Sequence, residues 1–331
     1  MPERTYIRRL RYIVQFAFLL LTLYAGWQFY LFAGHFEHGG NPFVERPPSV
    51  DAFLPIAGLM SLKYFLFTGI IEPIHPSALV IFAAVLLVSL LFRKGFCGWL
   101  CPVGTVSQYI WMAGERILGR NFRFDRVTDA IVKSVKYMLL FLFILLIGIA
   151  MPPNMMVLFF ITDYYKAVDV RMMKFFTEMT GATFWALAVL VGLSLIYKNF
   201  WCRYLCPYGA LLGLLGRISP FRVKRAEKNC AHCGACSRHC PSLIDVEKKD
   251  EVKSTECMSC LTCVSRCPSG ALTLSAKAGG WRMTIKPYLY PVLLIAVFYL
   301  VIGLGMVSGK WKSQLPYEEY ARIIPEISNS E

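Results

Sequence analysis

The chain has 331 residues, 56% of them hydrophobic and only 17% charged, against about 25% charged in a soluble domain. That balance excludes a disordered chain, a collagen and an ordinary cytosolic enzyme. The formal net charge of +14 acquires meaning only when its position along the chain is read.

Apolar runs of nearly bilayer length predict spans at 12–33, 76–92, 137–151, 182–197 and 287–307. Residues 1–11 are a basic leader carrying Arg8, Arg9 and Arg11, and the long run behind them lacks a small-residue cleavage site, which predicts an uncleaved anchor. Within the outer segment 34–75, the stretch 52–71 is apolar but carries Pro55, Lys63 and Gly69 and predicts an interfacial or re-entrant helix. The remaining connections are an inner loop at 93–136, an outer loop at 152–181, a large inner segment at 198–286 and a polar outer tail at 308–331. With the N-terminus inside, 27 of the 35 Lys and Arg fall in the inner segments and 8 in the outer ones. With the acids included, the inner segments carry +17 and the outer ones −3, as the positive-inside rule requires. Treating 52–71 as a span would invert every later segment. Topology accounts for the charge, and no basic stripe with interleaved aromatics asks for nucleic acid.

All twelve cysteines lie in four tight groups. FCGWLCPVG at 96–104 and WCRYLCPYG at 201–209 share the pattern C-x-[WY]-L-C-P-x-G at an offset of 105 residues. Each follows a predicted span that leaves on the inner face, and each has a lysine just before it, Lys94 and Lys198. The helix pairs 76–92 with 137–151 and 182–197 with 287–307 are candidates for two parallel repeats related by an axis along the membrane normal. Cysteines four apart share one face of a helix, so Cys97, Cys101, Cys202 and Cys206 can supply four converging thiolates. Soft thiolates select Cu(I), zinc or iron–sulfur, which leaves a third cluster and copper both open here. A redox dithiol and inert packing are the other readings.

Residues 230–241, CAHCGACSRHCP, and 257–268, CMSCLTCVSRCP, each read C-x2-C-x2-C-x3-C-P, the run that carries paired [4Fe–4S] clusters in bacterial ferredoxins. Three close cysteines take three corners of one cluster and the fourth completes the other. The expected sets are Cys230, Cys233, Cys236, Cys267 and Cys257, Cys260, Cys263, Cys240. Paired zinc sites would explain neither the third cysteine of each run nor the terminal Cys-Pro. His232 and His239, between ligands, read as solvated loop positions. No Gly-rich nucleotide fingerprint follows a strand.

Two Cys-x3-Cys-Pro motifs at span ends and a two-cluster segment before the last span make the chain resemble the NapH/NosR/CcoG-type membrane polyferredoxins over about residues 12–307. The resemblance implies electron transfer between a membrane or cytoplasmic donor and a periplasmic or membrane acceptor. The chain lacks the large N-terminal flavin-bearing domain of the NosR type and the C-terminal periplasmic domain of the CcoG type, so its layout is nearest the NapH-like group.

On the outer face, Glu72 and His75 in IIEPIHPSA are a candidate quinone or proton site, set against solvated turn residues between Pro73 and Pro76. His35 and His38 read as outer-loop residues. Six methionines at 151, 155, 156, 172, 173 and 179 could hold Cu(I), with lipid-edge packing as the simpler reading.

The expected fold is an all-α polytopic membrane protein of about five transmembrane helices in two parallel repeats, with an inserted α+β ferredoxin domain facing the cytoplasm of a bacterial inner membrane. The expected function is iron–sulfur electron transfer from quinol, or from a cytoplasmic donor, through a partner subunit to a reductase. A copper reductase using the Cys-Pro motif cysteines and a redox sensor or scaffold are the alternatives.

Overall fold

Prolines and glycines set most of the helix limits in the computed structural model, which describes residues 2–39, 42–278 and 281–329. The first helix, α1 (Pro2–His38), carries the anchor run without a proline inside it and stops at Gly39, whose φ of +57° ends the helix. Helix α2 (Pro55–Thr68) starts on a proline at its first position and closes on left-handed Gly69. Its 14 residues reach about 21 Å, short of the ~30 Å hydrocarbon core, in keeping with the reading of 52–71 as something other than a span. Then come α3 (Pro76–Phe92), α4 (Gly95–Trp99), α5 (Pro102–Leu118) and α6 (Arg126–Phe143), the last prolonged by a wider-turned stretch to Ala150. Three helices of 8, 4 and 10 residues follow, α7 (Pro153–Phe160), α8 (Asp163–Lys166) and α9 (Val168–Thr177), before α10 (Gly181–Ile196), bent 77° from α9. Helix α11 (Pro207–Leu215) leads into strand β1 (Phe221–Arg225), the short helices α12 (Ala235–Arg238) and α13 (Thr262–Ser265), and strands β2 (Leu272–Ala278) and β3 (Trp281–Ile285). Helices α14 (Leu289–Val307) and α15 (Tyr317–Asn329) complete the order.

Among the described residues, three helical stretches are both long and apolar enough to cross a membrane: 6–37, 126–150 and 289–307. The bent α9–α10 pair passes the same test only as a pair, and α3 is apolar but has only 17 residues. The chain forms two units, one of residues 1–19, 85–141 and 188–298, the other of 20–84, 142–187 and 299–331. Every passage from one to the other lies inside α1, α3, α6, α10 or α14, the helices that carry the five predicted spans.

The first unit contains all twelve cysteines. Its antiparallel sheet has the order β1-β2-β3, with Val223 opposite Leu274 and Leu274 opposite Ile285. Val223, Leu272 and Leu274 are buried and form the floor under the cysteine loops. In β1 only Val223 is buried, and the two residues on each side of it are half-buried.

The second unit packs α2, α7 and the 144–150 stretch around Leu54, Met60, Ile74, Met156 and Phe160. The expected polar tail is a docked helix instead. In α15, Tyr320, Ile323, Ile324 and Ile327 recur at one helical face and bury against Phe29, Phe32, Phe36, Ala167 and Val170. His35 also departs from its expected loop: it lies in α1, its Nε2 2.9 Å from the Tyr317 hydroxyl, while the His38 side chain falls outside the described residues.

Ile324, fully buried, tests this docking. Ile324→Ala should cost about 2–5 kcal/mol and open the segment before α15 to protease. Glu326→Ala, on the exposed face, should leave thermal unfolding and digestion unchanged.

Candidate iron–sulfur site

The two Cys-Pro motifs build the same local turn. Cys97 lies in α4, and the Cys101 N–H donates to Phe96 O at 2.9 Å, five residues back. In the second motif the Cys206 N–H donates to Trp201 O at 3.0 Å, again five residues back. This wider turn carries each second cysteine out of the helix into an extended conformation, where it caps the helix that its proline begins. The expectation of both cysteines on one helix face is corrected accordingly. The new helix offers its first N–H groups to sulfur: Gly209 N–H donates to Cys206 Sγ at 3.2 Å. Gly104 has to be small, because a Cβ there would stand 2.5 Å from Cys97 O. Cys202 is buried and the other three are half-buried. Burial pushes the Cys101 thiol up to about 11, despite the N–H groups of Gly104 and Val103, and raises Cys97 and Cys202 as well. Such sulfurs ionise when a cation is there to hold them.

The two dicluster loops also share a backbone. His232 and Gly234 in the first, and Ser259 and Leu261 in the second, have positive φ at matching positions between the cysteines. Alternating right- and left-handed residues turn successive N–H groups into one concavity, the arrangement that receives anionic iron–sulfur groups. Leu261 holds φ +56° although buried and bulky, a strained conformation that marks a constrained site. One cavity is lined by Cys230, Cys233, Cys236 and Cys267, and the other by Cys240, Cys257, Cys260 and Cys263. Each gathers three cysteines of one run with the last of the other. Around Cys267, burial opposes the thiolate, but the Ser269 hydroxyl and the N–H groups of residues 270–272 outweigh it and lower the pKa.

No three cysteine sulfurs among the described residues come within 4.8 Å of one another. Of the six methionines, Met156 is core, Met151 and Met173 pack against the cores, and Met155, Met172 and Met179 are exposed.

Side chains read from the sequence only as topological charge hold these loops together. Gly98 and Trp99, inside the first Cys-Pro motif, pack on the second dicluster loop. A Cβ on Gly98 would meet Met258 O at 2.7 Å, and the Trp99 indole donates to Ser259 O at 3.1 Å. Arg11, buried, donates to Gly98 O and to Thr262 Oγ1, each at 3.0 Å, and Cys260 Sγ lies 3.3 Å from that hydroxyl. Arg93 binds the carbonyls of Val252 and Ser254, Asn199 that of Pro241 at 3.1 Å, and Arg203 that of Ser242. The one sequence signal for Arg93 and Asn199 was their place at span ends just before a motif. His232 and His239 are exposed, as their loop positions suggested.

Glu72 and His75 belong to the second unit and are buried, not solvated. His75 Nε2 donates to Tyr165 O at 3.0 Å, and Nδ1 lies 3.0 Å from Asp51 Oδ1. Asp51, His75 and Asp169 converge as a cation site would, but Arg46 occupies it, with Nε 2.7 Å from Asp169 and NH2 on Asp51. Burial opposes the imidazolium, yet Asp51 outweighs it and raises the His75 pKa. Glu72 accepts from the Ile74 and His75 N–H groups at 2.8 Å and from the Tyr165 hydroxyl at 3.1 Å, and burial raises its pKa.

Apolar helices with cysteine loops of this geometry define a membrane iron–sulfur electron-transport protein. Comparison with known families agrees: the family described as 4Fe-4S binding domain matches residues 74–122 and again 179–226, and a 4Fe-4S dicluster domain matches 222–268. YccM of Escherichia coli (strain K12), a protein named for electron transport, is 39% identical over 321 residues, covering 96% of this chain and 90% of its own. The ferredoxin-type protein NapH of Haemophilus influenzae is 30% identical over 216 residues, 61% of this chain and 70% of NapH. The regulatory protein NosR of Stutzerimonas stutzeri is 29% identical over 182 residues, 53% of this chain but 23% of NosR. No solved structure matches. The chain belongs to the NapH/NosR-type membrane polyferredoxin family.

Because the folded imidazole titrates above its ordinary ~6.5, its stabilisation is complete below that pH and is lost as pH rises through the folded value. The thermal unfolding midpoint should therefore fall as pH rises above about 6.5, with a smaller slope in His75→Gln. Arg46→Met should cost about 3–5 kcal/mol, since it strands two buried carboxylates, a loss the same melts would reveal.

Proposed function

We propose that the chain holds three iron–sulfur groups in file and passes electrons from membrane quinol to a partner reductase. Cys230, Cys233, Cys236 and Cys267 hold the first, Cys257, Cys260, Cys263 and Cys240 the second, and Cys97, Cys101, Cys202 and Cys206 the third. When bound, such clusters take up and release single electrons with little rearrangement. The protein's part is to hold, space and shield them. The Ile244 N–H donates to Cys240 Sγ at 3.4 Å, while the buried Met258, Leu261 and Val264 keep water from the second set. The observation that carries the reading is the contact of Gly98–Trp99 with Met258–Ser259, which joins a residue beside Cys97 to the residues between Cys257 and Cys260.

Quinol as donor rests on the NapH-like layout. Oxidising quinol releases protons as well as electrons, and Glu72, whose pKa burial raises, is the group offered to receive one, with His75 beside it. The cysteine-bearing unit faces the cytoplasm of the bacterial inner membrane, in keeping with the placement of Lys and Arg along the chain.

Iron, acid-labile sulfide and copper per chain, measured on protein purified without oxygen, test the ligand sets. About twelve irons without copper are expected. About eight irons with copper that vanishes in the Cys97/Cys202 double variant would replace this reading by a copper reductase. Cys236→Ser should lose about four irons and abolish transfer. A quinol analogue should bleach the cluster absorbance, more slowly in Glu72→Gln; bleaching by dithionite but never by quinol would move the donor to the cytoplasm.

A further inference from the structure

Two lysines next to the Cys-Pro motif cysteines are buried where a topological charge would be solvated. Lys94 is 2% exposed and Lys136 is 0% exposed. Both ammonium groups use one carboxylate: Lys136 Nζ is 2.6 Å from Glu256 Oε1 and Lys94 Nζ is 3.7 Å from Oε2. The neighbouring Arg203 is already committed to Asp129 through contacts of 2.9 and 3.0 Å. Two buried cations against one anion leave a positive charge without a partner, which is costly unless another anion completes the site.

Thiols also lie near Lys94. Its Cε and the Cys206 Sγ both stand 3.5 Å from the point where a Cβ on Gly209 would be, and Cys97 follows three residues later. Glu256, in turn, immediately precedes Cys257. The charge cluster therefore joins a lysine near the Cys-Pro motif cysteines to the residue that precedes the second dicluster loop. Lys198, the lysine just before the second motif but one place out of register with Lys94, is used differently: it pairs with Glu115 at 3.5 Å and lies 4.6 Å over the Trp111 ring. The sequence repeat is thus broken in its charges.

We propose that Lys94 is a positioning charge for the iron–sulfur group held by Cys97, Cys101, Cys202 and Cys206, raising its reduction potential against that of the neighbouring dicluster group. The inference rests on the three-group reading above. Reduction adds one negative charge among these sulfurs, and a buried cation favours the more negative state. Glu256 opposes it, so the two residues should act with opposite signs.

The test is an iron count and an EPR-monitored redox titration of the whole anaerobic protein. Lys94→Met should keep about twelve irons. Its equilibrium constant for reducing the third group should fall about tenfold, equivalent to about 59 mV for one electron. Lys94→Arg should restore the wild-type value, Glu256→Gln should shift it upward, and Lys198→Met should leave it in place. An unmoved potential in Lys94→Met at full iron content, or an equal shift in Lys198→Met, overturns the proposal. If Lys94→Met loses iron, Glu256→Gln decides: a potential that rises upholds the charge role and one that falls or stays overturns it. A wild-type count of about eight irons would instead overturn the three-group reading itself, before any titration.

Discussion

Each dicluster loop finishes the other's cavity: Cys267 closes the ring begun by Cys230, and Cys240 closes the one begun by Cys257. Neither run is complete alone, so the chain between them must fold back on itself. The sheet makes that return possible, pairing the residues just before the first run with those just after the second, Arg225 with Leu272. The paired loops then present Met258 and Ser259 to the turn that carries Cys97, and the remaining contacts of this unit follow from that juxtaposition.

The basic residues around these loops serve two purposes with one charge. Counted along the chain, they set an asymmetry across the membrane. In three dimensions, Arg11, Arg93 and Arg203 are buried and spend their donors on backbone carbonyls of the cysteine segments. An irregular loop has no ladder to satisfy its carbonyls, and a guanidinium, with five donors in a fixed fork, can satisfy several at once. That same positive charge lies where iron–sulfur groups add negative charge. Stability of the loops and electrostatics of the redox centres are therefore coupled, and a change in one of these arginines or lysines alters both.

The second unit solves a similar problem without metal. Asp51, Asp169 and His75 converge tightly enough for a cation, and Arg46 supplies it from the chain itself. Burial of so many ionisable groups is sustainable only because nearly every lone pair is met, with Ser77 reaching Asp51, and with Ser61 and Tyr165 reaching Glu72. This explains why His75 and Glu72, flanked by prolines and apt for an exposed turn, are enclosed.

What the sequence determined by itself was whatever rests on spacing along one chain. The C-x2-C-x2-C-x3-C-P runs named the cysteines that share each cavity, the repeated C-x-[WY]-L-C-P-x-G announced the matching turns of Cys101 and Cys206, and hydropathy located the long apolar helices α1, α6 and α14. The amphipathic spacing of Tyr320, Ile323, Ile324 and Ile327 is equally legible, although the polar residues between them dilute it. The tertiary structure alone decided which charges are buried and against what. Lys94 and Lys198 each lie just before a Cys-Pro motif, yet one lies near cysteines and the other meets Glu115 and Trp111. Arg46 and Arg11 look like any surface arginine in the sequence. Their roles depend on partners 123 and 251 residues away, and no local pattern records a contact that only folding creates.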